Sequence, residues 1–386
     1  MKKKMLAPIL VALGLFMTAC GGSDTPISSP IQTLAPQSME ASASATSQPE
    51  TTEPTEAPEL IDYDKMYQSE LTNEWIDLSL KDQRPIAVMV DNEKTALPHY
   101  GLTEADVVYE IMNSTANGRI TRFMALVKDW GSITQFGSIR STRPTNFILA
   151  AEWNAVLIHD GGPFFIDEWK AKPYSANLSG GFARFSNGKA TEFTEYVTYD
   201  KYTNTEKGKT YDGLKQRFAN SNYSTTYNEY YPGKHFQFAD ETVDFSGRSD
   251  AKAATWIELP FPHNSSTLKY NEETKTYDYY EYGTAHLDPL HDDAQLTFKN
   301  VILQDTTFAD LGEGYLIYNA LSDVPRDGYY ITEGKAIEVT WTNPKENGIT
   351  RYYDKATGEE IKLNTGKTYI SLIPADTWDE VVIKNK

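Results

Sequence analysis

Residues 136–162, FGSIRSTRPTNFILAAEWNAVLIHDGG, constrain the fold most, because they specify a strand, a cationic turn, a helix and a second strand in one run. Residues 136–140 are short and partly apolar, and Arg140, Ser141, Thr142 and Arg143 follow at once. Pro144 suits the first position of a helix, where its missing N–H costs nothing and its φ is already helical. Phe147, Ile148 and Ala151 then share one helical face. Residues 155–158 are an unbroken apolar run, short enough for a strand buried on both faces, and end at His159, Asp160 and two glycines. The turn therefore sets two guanidinium groups beside the positive end of a helix dipole, one way chains build anion sites. Arg140, Ser141, Thr142 and Arg143 are the candidate anion-binding residues. The competing structural assignment packs Arg143 on Trp153 and pairs Arg140 with a surface carboxylate.

The start of the chain reads as an address. Lys2, Lys3 and Lys4 precede an apolar run to Met17, and Thr18, Ala19 and Cys20 follow. A basic start, a short apolar segment and small residues before a cut describe a secretory signal, too short to span a membrane. Cys20 is the only cysteine of the chain. Residues 17–20 resemble a bacterial lipobox, with Met17 where Leu is usual. That resemblance implies removal of residues 1–19 and a lipid on Cys20, anchoring the protein at the extracytoplasmic face of the cell membrane. The body then holds neither disulfides nor thiolate metal sites.

Residues 21–60 contain no Lys, Arg or aromatic side chain and are dominated by Ser, Thr, Pro, Ala and Glu. Such a segment lacks the apolar surface to fold, so residues 20–62 are expected to be a tether with a reach of ~35 Å. The formal net charge is −18, and loss of the three leader lysines takes it to −21. So acidic a chain is no partner for nucleic acid, and any anion must be held locally against the global field.

The remaining body divides by texture into residues 63–250, an α/β domain with a mixed sheet and long loops, and residues 251–386, all β. Arg84 to Val90 is a second buried-strand pattern, ending at Asp91 and Asn92. Residues 106–112 and 118–127 read as an antiparallel pair around Asn117-Gly118, a hairpin signal. A two-residue loop there places Asn113 opposite Arg122, with Glu110 on the other face from Arg122. Residues 212–220 are the one expected helix of the middle region, with Asp212 as its cap. Beyond residue 253, short Tyr-, Thr- and Val-rich segments alternate with turns, two of them at Glu333-Gly334 and Thr357-Gly358. That spacing predicts an antiparallel sandwich or small barrel.

RPIAVMVDN, GLTEADVVYE, ITRFMALV, GSIRSTR and AVLIHDGG occur in that order. Together they resemble the YerB-like family of bacterial lipoproteins, a two-part domain of unknown function behind a lipobox and a tether. The resemblance implies an envelope location and supplies no reaction. The chain departs from the family pattern at residues 113–119, and it lacks a PHN-type triplet just after Gly181.

Asp91, Arg140 and His159 each stand at the carboxyl end of an apolar segment. If the strands are parallel neighbours, the three emerge along one edge as base or metal ligand, oxyanion clamp and general acid. Asp91 and His159 are therefore candidate catalytic residues under an alternative reading, a hydrolase or transferase acting on a glycan or phosphodiester. The sequence has no nucleophile elbow, Walker loop, dinucleotide fingerprint or HExxH motif. Residues 286–293 carry His and Asp side chains, but their spacing reads as an acidic turn, and no metal or cofactor is assigned. The primary reading is a non-catalytic lipoprotein that binds a cell-wall polymer, its precursor or an envelope protein.

Overall fold

The computed structural model describes residues 62–312 and 314–386; the leader, Cys20 and the tether through residue 61 lie outside the described residues. The centre of the body is an eleven-stranded mixed sheet. Its N-terminal half contains β1 (Ile86–Asp91), β2 (Val107–Met112), β3 (Thr121–Val127), β4 (Val156–His159) and β5 (Asn177–Ser179). β1 and β2 are buried along their whole length, which is why they read as continuous apolar runs rather than alternating ones. β1 pairs antiparallel with β3 and parallel with β4, and β4 pairs parallel with β5.

The later part of the chain completes the same sheet. β7 (Asn300–Thr306), β8 (Ser322–Thr332), β9 (Lys335–Asn343) and β10 (Thr368–Pro374) follow β6 (Thr276–Glu281), which belongs elsewhere. β10 lies between β7 and β2 and is parallel to both. All seven of its residues are buried, so it needs a partner on each edge and a layer on each face. The β8–β9 hairpin turns at Glu333 and Gly334, both left-handed (φ 47° and 71°), as a two-residue primed turn demands.

A six-stranded antiparallel sheet containing Trp256–Glu258, Thr267–Asn271 and β6 packs on one face of this centre. Tyr279 of β6 meets Phe123 of β3 and Tyr369 of β10, with ring centroids 5.7 Å apart in both cases. On the other face lies α1 (Pro144–Glu152), starting at Pro144 as its sequence predicts.

Two expectations are corrected here. The α/β description overstates the helix: α1, the longest α-helix among the described residues, has nine residues, and the fold is mostly β. Residues 251–386 are mostly strand and turn, with two short 3-10 helices (Pro289–His291 and Ala375–Glu380), but they do not close a sandwich or barrel of their own. Their apolar runs β7 and β10 are sheet centres, and alternating segments such as β6, in which every second residue is buried, form the second sheet.

Smaller readings fare unevenly. The hairpin between β2 and β3 exists, yet Asn113 pairs with Ile120 through a six-residue loop, so the register is two residues from the expected one. A two-residue slip preserves the faces, and Glu110 and Arg122 still point opposite ways. The helix after Asp212 runs over Leu214–Asn220 and begins at Gly213 without a side-chain cap.

Candidate functional site

The cationic turn is sewn to the ends of β1 and β4. Asp91 N–H donates to Ser138 O (3.0 Å) and Arg140 N–H to Met89 O (2.9 Å). On its other side, Asp160 N–H donates to Arg140 O (3.1 Å) and Thr142 N–H to Gly161 O (3.2 Å). Two backbone ladders thus hold residues 138–142 at the carboxyl edge of the parallel pair β1–β4, where open sheets commonly present ligand groups. Asn146 completes the turn, its Oδ1 accepting the Arg143 N–H at 2.9 Å at the start of α1.

The four turn side chains have different tasks. Arg140 is neutralised: its Nε lies 3.1 Å from Asp91 Oδ2 and its Nη2 2.7 Å from Glu192 Oε2. The Thr142 hydroxyl is buried and donates to Asn146 Oδ1 (3.2 Å). Ser141 Oγ faces outward and accepts from Arg143 Nη1 at 3.5 Å. Arg143 also donates to Thr142 O (3.0 Å) and lies over the Tyr315 ring, 5.1 Å from its centroid. Trp153 is not its partner; that ring stacks on His235 at 4.0 Å.

A residue that the sequence reading left out of the site completes it. Arg122, directly opposite Asp91 across β1–β3, donates from Nη1 to Ser141 O (2.7 Å) and Ser141 Oγ (2.9 Å). Arg122 and Arg143 therefore converge on one hydroxyl, and among the described residues neither has a carboxylate within salt-bridge distance. Burial pushes Arg122 down to about 9, with Arg143 the next cause, and burial pushes Arg143 down to about 10. Both shifts register the cost of gathering positive charge where water is scarce, a cost that an anion removes. The notch between them, lined also by Asn113, Thr145 and Tyr318, has about 10 Å³ of room, enough for one water-sized group. The signal for Arg122 was in its own strand: a lone charge in ITRFMALV, on the α1 side of an apolar alternation.

The Asp91, Arg140 and His159 edge forms only in part. Asp91 and Arg140 meet, but His159 Nδ1 lies 2.8 Å from Gly161 O and its Nε2 3.3 Å from Asn177 Oδ1. Those bonds turn the ring toward β5. Asp91 is 1% exposed, so its carboxylate is a brace for Arg140 rather than a group facing solvent.

On the opposite face of the β2–β3 pair, Glu110 of β2 is fully buried and gathers a polar network. It accepts from Thr121 Oγ1 (2.7 Å), Asn264 Nδ2 (2.8 Å), Ser266 Oγ (2.7 Å), Tyr279 Oη (3.0 Å) and Tyr369 Oη. The triplet sought after Gly181 occurs here as Pro262-His263-Asn264, some eighty residues later than its expected place. His263 N–H donates to Gly118 O (2.7 Å), so the triplet ties the second sheet to the β2–β3 loop.

Comparison with known proteins matches the chain in two stretches. Residues 71–216 match the model described as the N-terminal domain of a protein of unknown function (DUF3048), and residues 257–370 match the corresponding C-terminal domain. The chain is 24% identical over 321 residues to YerB of Bacillus subtilis (strain 168), whose name marks it as a candidate lipoprotein. That match covers 80% of this chain and 87% of YerB. The crystal structure of the Bacillus subtilis YerB protein superposes with a TM-score of 0.66 at 19% identity, covering 82% of this chain and 99% of that one.

Proposed function

Because this chain belongs to the two-part DUF3048 family, the YerB-like bacterial lipoproteins, we propose that it works as a tethered receptor on the outer side of the cell membrane. Cys20 carries the lipid, residues 21–60 supply the reach, and the body binds a phosphate or carboxylate group of a cell-wall polymer or its precursor. One observation carries this reading: Arg122 and Arg143 converge on the Ser141 hydroxyl with no carboxylate partner among the described residues. Paired guanidinium groups suit an oxyanion because each offers parallel N–H donors in a fixed fork. A geometry-matched site also works against a strongly acidic whole, where diffuse attraction does not.

The test is a set of three variants titrated with inorganic phosphate and with acetate. Arg122→Lys and Arg143→Lys each lose about tenfold or more in affinity, since charge-assisted contacts are worth ~1.5–3 kcal/mol. Arg140→Ala changes binding little, because Asp91 and Glu192 already occupy that guanidinium. Thermal melts on the same proteins separate binding from folding. Lower stability with unchanged affinity in the two Lys variants would make the turn architectural and the proposal wrong.

A further inference from the structure

Three ligand-type side chains meet in the interior, on the opposite face of β3 from the arginines. His99 follows β1, Glu281 ends β6, and His286 comes five residues later. Each offers one donor atom, and the three atoms lie within 4.8 Å of one another. All three residues are buried, His99 at 0% and Glu281 at 1% exposure. Phe123 closes the floor, its ring 5.9 Å from that of His99 and 6.3 Å from that of His286.

The hydrogen bonds decide which atoms are free. His99 Nε2 lies 2.6 Å from the carbonyl oxygen of Asp91, which only accepts, so Nε2 carries the proton and Nδ1 the lone pair. His286 Nδ1 and Glu281 Oε1 face each other at 2.7 Å, so an ion held by both residues takes the place of the proton between them. His99 Nδ1, His286 Nε2 and Glu281 Oε2 are buried without a hydrogen-bond partner among the described residues. Asn92 Oδ1, on the side chain next to Glu281, is a fourth such atom. Buried polar atoms left unpaired in one place call for an ion or a water among them.

We propose that His99, Glu281 and His286 bind a first-row divalent metal ion, with zinc the best-fitting ion, which pins the six-stranded sheet to the central one. Two imidazoles and one carboxylate are a zinc-type donor set, whereas calcium and magnesium call for oxygen donors throughout. A tetrahedral zinc ion with bonds of ~2.1 Å holds its donors ~3.4 Å apart, within the 4.8 Å that spans the three donor atoms here. Asp91 serves both sites: its carbonyl orients His99 and its carboxylate holds Arg140. The spacing of residues 286–293 hid the site, because only His286 of that run contributes and its partners come from two other elements.

The experiment uses the full mature chain, stripped with a chelator and titrated with Zn²⁺ and separately with Co²⁺. Expected are one zinc equivalent retained through dialysis, a melting temperature raised by several degrees, and a visible cobalt spectrum of a low-coordinate nitrogen–oxygen site. His99→Ala and His286→Ala lose the equivalent and the spectrum, while His291→Ala, an exposed neighbour paired with Glu104, keeps both. If a variant fails to fold, the zinc content and cobalt spectrum of the unsubstituted protein decide. An unsubstituted protein that retains no metal and shows no melting shift overturns the proposal and leaves water as the occupant. Metal retained undiminished in folded His99→Ala and His286→Ala also overturns it, by placing the ion elsewhere.

Discussion

Arg122 and Glu110 show how much a single position along a strand decides. They occupy one antiparallel pair, and strand alternation sends Arg122 toward α1 and Glu110 toward the second sheet. The sequence made that separation of faces legible, because a register error of two residues leaves it intact. It did not make the partners legible: Glu110 finds Asn264 and Tyr369 across 154 and 259 residues of chain. Glu152 is a parallel case with a measurable consequence. It is fully buried and accepts from His235 Nε2 (2.9 Å), Asn343 Nδ2 (3.0 Å), Thr350 N–H (2.9 Å) and Thr350 Oγ1 (3.0 Å). Glu152→Gln turns one acceptor toward donors, so urea unfolding is expected to show a loss of about 3 kcal/mol.

At the scale of elements, the strand–turn–helix–strand run was readable because each of its signals is local. Pro144 fixes the start of α1, and apolar runs mark β1 and β4. The C-terminal strands were readable as strands but not as members of the central sheet, since β10 pairs with β2 and β7, both far from it in the chain. Asp106, just before β2, offers a pH test of this packing. Its Oδ2 accepts the Lys128 N–H at 2.7 Å, and burial raises its pKa from 3.8 to about 7. The folded state then holds a proton that the unfolded chain releases, so this group's contribution is fully present below about pH 4. It is lost as pH rises through about 7. Relative to Asp106→Asn, the unsubstituted protein should therefore melt progressively lower as pH is raised from 4 to 8. A melting difference that does not change with pH would contradict the assignment.

For the whole molecule, the acidic charge, the lone cysteine and the aromatic-free segment point to one layout: an anchor, a tether and a body. The anchor is expected from the lipobox-like residues 17–20 and the tether from composition, and both lie outside the described residues. A Cys20→Ala protein should leave the membrane fraction once its leader is cut, whereas the unsubstituted protein should stay in it until detergent is added. The function of the body was less legible because Arg122 comes from a strand and Ser141 and Arg143 from the turn, and because Arg140, the turn's first arginine, is matched by Asp91 and Glu192. The most direct measurement is calorimetric titration of the mature protein with a phosphate-bearing wall-polymer fragment and with the same fragment dephosphorylated. Saturable binding of the first, lost on dephosphorylation and weakened about tenfold or more by Arg143→Lys, is the predicted result. Equal affinity for both fragments, or binding indifferent to Arg122 and Arg143, would contradict the account.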